Sequence, residues 1–148
     1  MKWKKKRLAA VLVVLALAAI AAVASQALQP ALGGTGPDRQ VIARSSSNGF
    51  RVTVTAYKSD ASAAPAATVK IAAFSFSGGS WHQLGSPLRV GARDTWFWNV
   101  VTGPHSLRNF SLSTDVPERV TLRLLITPSI GWSDPYSFHV AGGALVRG

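Results

Sequence analysis

Past residue 49 the chain alternates apolar and polar residues in short runs of period two, the pattern of half-buried strands. In Phe50 to Tyr57, Phe50, Val52, Val54 and Ala56 share one face, and Arg51, Thr53, Thr55 and Tyr57 share the other. Thr68 to Phe76 repeats the pattern, with Val69, Ile71 and Ala73 opposite Lys70, Ala72 and Phe74. Arg119 to Ile126 is the cleanest case, setting Val120, Leu122, Leu124 and Ile126 against Arg119, Thr121, Arg123 and Leu125. Ser77-Gly78-Gly79-Ser80 predicts a hairpin into Trp81-His82-Gln83-Leu84, and Gly142-Gly143 another onto Ala144-Leu145-Val146. Leu88-Arg89-Val90, Leu107 to Thr114 and Tyr136 to Val140 add further short strands. Thr95 to Val101, TWFWNVV, is apolar on both faces and predicts a central strand.

Turn residues recur about every eight to twelve positions, and no helical period is found after residue 27. The expected fold is all-β, with residues 50–148 forming an antiparallel β-sandwich of immunoglobulin-like or jelly-roll-like architecture. The chain has no cysteine, so the disulfide of antibody domains is missing and the likeness is one of architecture. Residues 28–49 read as a Pro/Gly/Ser-rich linker, with a short edge strand at Gln40 to Ala43 and a turn at Ser45 to Gly49.

Residues 1–27 read differently. Lys2, Lys4, Lys5, Lys6 and Arg7 precede seventeen residues, Leu8 to Ala24, without a charge or a hydrogen-bonding side chain. A basic start followed by an apolar helix is what an export machinery recognises, since the helix partitions into lipid while fixed positive charge resists crossing. Two fates compete. Seventeen residues span about 25 Å, a little short of a ~30 Å hydrocarbon core. Ala22-Val23-Ala24 and Ser25-Gln26-Ala27 offer the small-x-small spacing a signal peptidase needs. Residues 1–27 are therefore a cleaved signal peptide or an uncleaved anchor helix. Either expectation puts the C-terminal part outside the cytoplasm, secreted or held at the plasma membrane, with the N-terminal segment meeting the membrane at least in transit.

Charge changes the picture once this segment is set aside. The formal net charge is +10, but residues 28–148 carry eleven Lys plus Arg against six Asp plus Glu, a net of +5. The eleven cations stand singly along the sequence, so no run tracks a phosphate backbone and a nucleic-acid partner is not expected. Nine of the eleven are Arg, and Ala, Gly and Val abound, which hints at a GC-rich bacterial source. Without disulfides in an exported chain, packing alone must hold the fold.

Candidate chemistry is thin. His82, His105 and His139 are the only imidazoles, with no metal-binding spacing among them, and the six acids form no calcium-loop pattern. Neither a metal nor a cofactor is expected. Gly131-Trp132-Ser133-Asp134-Pro135 approaches a nucleophile elbow but lacks its second glycine. A hydrolase would need His105 or His139 beside Asp134 and a serine, and enzyme activity is not expected. Aromatic rings bury large area at low entropic cost, so exposed ones beside polar groups suit sugar rings or partner side chains. Trp81 beside a Gly-Gly turn, and Trp132 with Asp134 and Tyr136 in and after a loop, are the candidate binding residues. The expected function is a non-catalytic interaction or envelope protein with a protein or glycan partner. The alternative is a carbohydrate- or cell-wall-binding module that uses these aromatics.

Overall fold

Two-residue turns set the pairing of the strands. At Asn48-Gly49 and at Gly78-Gly79 both central residues have positive φ (48° and 73°, 59° and 82°), the geometry of a type I′ turn, whose twist matches that of the strands it joins. The structure, a computed structural model, describes residues 38–59 and 65–148. Its strands are β1 (Arg39–Ser47), β2 (Phe50–Ser59), β3 (Ala66–Ser77), β4 (Ser80–Gln83), β5 (Leu88–Val90) and β6 (Trp96–Phe97). A single helical turn, α1 (Trp98–Val101), follows. Then come β7 (Leu107–Ser113), β8 (Arg119–Thr127), β9 (Gly131–Trp132), β10 (Tyr136–Ala141) and β11 (Ala144–Arg147).

The strands form two antiparallel sheets, an arrangement consistent with a β-sandwich. The first runs β1-β2-β3 and then a composite edge: β4, β5 and β6 all pair with the same side of β3, at Phe74–Ser77, Val69–Ile71 and Ala66–Ala67. They amount to one strand interrupted by loops at 84–87 and 91–95. The second sheet runs β7-β8-β10-β11, with β9 extending the β10 side of β8. Each sheet is a sequential meander. The Greek-key link shared by immunoglobulin-like and jelly-roll architectures is not among the described connections.

The inward faces meet in one core. Val52, Val54, Ala56, Val69, Ile71 and Ala73 come from the first sheet; Val120, Leu122, Leu124, Phe138 and Leu145 come from the second. Each large side chain fully buried here contributes roughly 1.5–3 kcal/mol of hydrophobic stabilisation. The sheets also touch at their sides. Leu145 N–H donates to the Leu84 carbonyl at 3.4 Å, and Asn48 Nδ2 donates to Thr114 Oγ1 at 3.2 Å.

Two expectations need correction. The short strand at 40–43 runs the full length of β1, and Ser45 to Ser47 pair with Phe50 to Val52 instead of turning. A type I′ turn needs only two residues, so Asn48-Gly49 suffices and the serines are free to extend the ladder. TWFWNVV is not a central strand. Only Trp96 and Phe97 pair with β3; Trp98 to Val101 coil into α1, where Thr102 N–H donates to the Trp98 carbonyl at 3.0 Å. An apolar run with no single wet face suits a buried crossover as well as a buried strand, and periodicity cannot separate the two. Here it carries the chain between sheets, with Val101 wholly buried and the Trp96 indole donating to the Val90 carbonyl at 2.7 Å. The signal or anchor helix, including Lys2, Lys4, Lys5, Lys6, Arg7, Ala22 and Ala24, lies outside the described residues. Among the described residues no helix is long and apolar enough to cross a membrane.

Candidate functional site

The aromatics singled out from sequence do not converge. Trp81 pairs with Phe76, which alternates with the core residues of β3, so both point outward from the first sheet. Trp132 pairs with Leu125, which alternates with Leu122 and Leu124, so it points outward from the second. The two indoles therefore occupy opposite outer surfaces. Tyr136 pairs with Leu122 and turns inward, its ring edge-on to Trp96 at 6.3 Å between centroids. Asp134 is exposed in the intervening loop.

That loop is a structural bulge. Ser133 is 6% exposed, and its N–H donates to the Leu124 carbonyl at 2.8 Å. Its hydroxyl accepts from Leu124 N–H at 3.0 Å and donates to the Asp134 carbonyl at 2.8 Å. Its carbonyl takes the Arg123 guanidinium at 2.7 Å. The serine thus completes the β8 ladder where β9 gives way to β10, and its oxygen is not presented to a substrate. His82 Nε2 lies 2.9 Å from Ser80 Oγ and 3.1 Å from the Ser77 carbonyl, closing the β3–β4 hairpin. Neither His105 nor His139 bonds to Asp134 or to a serine among the described residues, nor do three or more metal-ligating side chains gather there.

What converges is positive charge. No strand of the first sheet contains an Asp or a Glu. Cross-strand partners share a face, so the register places Arg39, Arg44, Arg51, Lys70 and Arg89 together on the outward side. Arg51 stacks on Trp81, its guanidinium carbon 3.9 Å from the ring centroid, and Phe76 packs against the same indole at 5.2 Å. Phe76 is 44% exposed, so the cluster is open to solvent. Burial, and then the charge of Arg44, push the Arg51 guanidinium below its ordinary range. Arg51 Nε and Thr53 Oγ1 are buried here with no hydrogen-bond partner.

Farther along the same face is an open groove of about 610 Å³. Among the described residues Lys58, in register with the buried Ala67, borders its end, and Lys70, Arg89 and Arg93 line it with one acid, Asp94. That carboxylate is already engaged: Oδ1 accepts from Thr68 Oγ1 at 3.0 Å, and Oδ2 pairs with Arg93 Nε at 3.4 Å. Lys70 stands directly opposite Arg89 across β3 and β5, a like-charge pair that opposes folding. The Lys70 ammonium lies 5.2 Å from the centre of the Tyr57 ring, which forms one wall.

Sequence reading missed this surface because the cations stand far apart along the chain. The usable signal was parity: Arg51, Lys70 and Arg89 each occupy the non-core phase of their runs. Comparison with family models, with curated proteins and with solved structures finds no match.

Proposed function

We propose that the chain is a non-catalytic extracytoplasmic protein of the cell envelope, secreted or held in the plasma membrane by residues 1–27, and that it works by binding. The observation that carries this reading is the density of positive charge on the first sheet, whose outward face holds five cations and no acid in its strands, against three, Arg108, Arg119 and Arg123, on the outward face of the equally acid-free second sheet. A sheet needs nothing of the kind to fold, since its stability comes from the inward face. The basic start and apolar run of the N-terminal segment support the location. We read the stacked meanders as a β-sandwich that serves as a rigid support for that face.

The second reading, a carbohydrate- or cell-wall-binding module, is favoured by the half-open Trp81–Phe76 pair rather than by Trp81 and Trp132 together. Alkaline phosphatase fused after Gly148 tests the location: activity is expected, and an inactive fusion with intact expression sinks it. The chain has no cysteine, so one introduced thiol carries a photo-crosslinker to a chosen face. In intact cells S46C, outward on the first sheet, is expected to give adducts and R119C, outward on the second, is not. Equal labelling from both positions contradicts the reading.

A further inference from the structure

We infer that the groove formed by Lys58, Lys70, Arg89 and Arg93 is a phosphodiester-binding site. Lys70, Arg89 and Arg93 line an open cleft with Lys58 at its end, and its one carboxylate among the described residues, that of Asp94, is held by Thr68 and Arg93. Lys70 and Arg89 are aligned by strand pairing, with no carboxylate within ion-pair distance of either among the described residues. The backbone positions from which the two side chains project are therefore fixed by the strand pairing before any ligand arrives. An anion seated between the two side chains relieves their mutual repulsion and accepts hydrogen bonds from both, the guanidinium forking onto phosphate oxygens and the ammonium acting as a point charge.

An extended, repeating anion fits better than a small one. The groove is open and wide, and the positive face continues past it through Arg44 and Arg51. Successive phosphates along a flexible chain could be held in turn, with the Tyr57 ring beside Lys70 covering the less polar linkers between them. The source of the phosphate, though not the site, rests on the envelope reading above. The groove lies where the chain enters the first sheet, since Lys58 N–H donates to the Asp38 carbonyl at 2.9 Å. Phospholipid headgroups and polyol-phosphate polymers are the two sources of this chemistry in an envelope.

The test uses the full chain in neutral maltoside micelles, titrated calorimetrically with poly(glycerol phosphate) and separately with micelles containing phosphatidylglycerol. Binding is expected to weaken between about 50 and 200 mM salt, as counterion release requires. K70Q/R89Q is expected to weaken it about tenfold or more, while R119Q/R123Q on the opposite face stays within about twofold. K70E, which leaves an ion pair across the strands, is a second variant in case the double one folds poorly. Binding of the polymer alone assigns the polymer, binding of the micelles alone assigns the headgroup, and binding of both supports the shared site. No binding at low salt overturns the inference. So does equal weakening by the two double variants; oligo(dT), itself a phosphodiester, binding more tightly than the polymer overturns the envelope source of the ligand. The fusion experiment reads location independently, so failure here is distinguishable from failure of the envelope reading.

Discussion

Lys70 on β3 and Arg89 on β5 face each other directly across antiparallel strands, both side chains on the outward surface and neither paired with a carboxylate among the described residues. Like charges so placed repel, and in solvent-screened positions the cost is about 0.2–0.5 kcal/mol. Replacing Lys70 by Glu should turn repulsion into attraction. We expect K70E to raise unfolding stability by about 0.5–1 kcal/mol in urea at low salt, an advantage that shrinks as salt screens the pair. A neutral or destabilising K70E would mean that the two side chains do not feel each other.

Ser133 holds Leu124 by both of its backbone groups. Removing the hydroxyl leaves a buried N–H without a partner, so S133A should cost about 1–3 kcal/mol by denaturant unfolding. A fluorophosphonate probe should not label the wild-type chain. Labelling abolished by S133A would restore the nucleophile that its hydrogen bonds argue against.

Gly91 has φ of +80°, and a Cβ there would come within 2.9 Å of Trp96 Cζ2 and 3.1 Å of the Tyr136 hydroxyl. G91A should therefore combine backbone strain with overpacking, at about 2–4 kcal/mol. Gly142 has φ of +58° with open space around it. G142A should cost only about 1 kcal/mol, from strain alone. Thermal unfolding of the two variants separates the terms, and equal losses would show that the Trp96–Tyr136 packing tolerates a methyl group.

The outward surface of the first sheet couples Arg51 to Trp81 by a stacking contact of about 0.5–1 kcal/mol. R51A should change Trp81 emission and leave a W81F background unaffected. If a glycan binds at all, W81A and W132A should act separately, because the indoles stand on opposite surfaces. A single oligosaccharide whose binding needs both tryptophans would contradict that placement.

Much of this fold was legible because period-two alternation marks the inward face, although it does not mark the outward Thr53, Thr55 and Phe74, which are buried too. Val52, Val54, Ala56, Val69, Ile71, Val120, Leu122 and Leu124 were all assigned inward by phase, and all are fully buried. What alternation could not reveal was pairing. Nothing local says that β4, β5 and β6 share one edge of β3, that Trp81 and Trp132 part company, or that Trp98 to Val101 coil. These depend on long-range register and on where the chain crosses between sheets. The candidate site was hidden for the same reason. A row of cations on one face exists only after Lys70 meets Arg89 and Thr53 meets Arg44. Ser133 was half-legible: its loop stood out, and its hydrogen bonds then explained the loop as a latch.

A double-mutant cycle over K70Q, R89Q and the pair, measured by urea unfolding of the full chain with and without poly(glycerol phosphate), most directly tests the claim that this face is built to hold an anion. Without the polymer the coupling should be repulsive by about 0.2–0.5 kcal/mol. Saturating polymer should abolish or reverse it, because ligand bound only to the native state stabilises the wild-type chain most. A coupling of zero or of attractive sign without the polymer, or one unchanged by its presence, would contradict it.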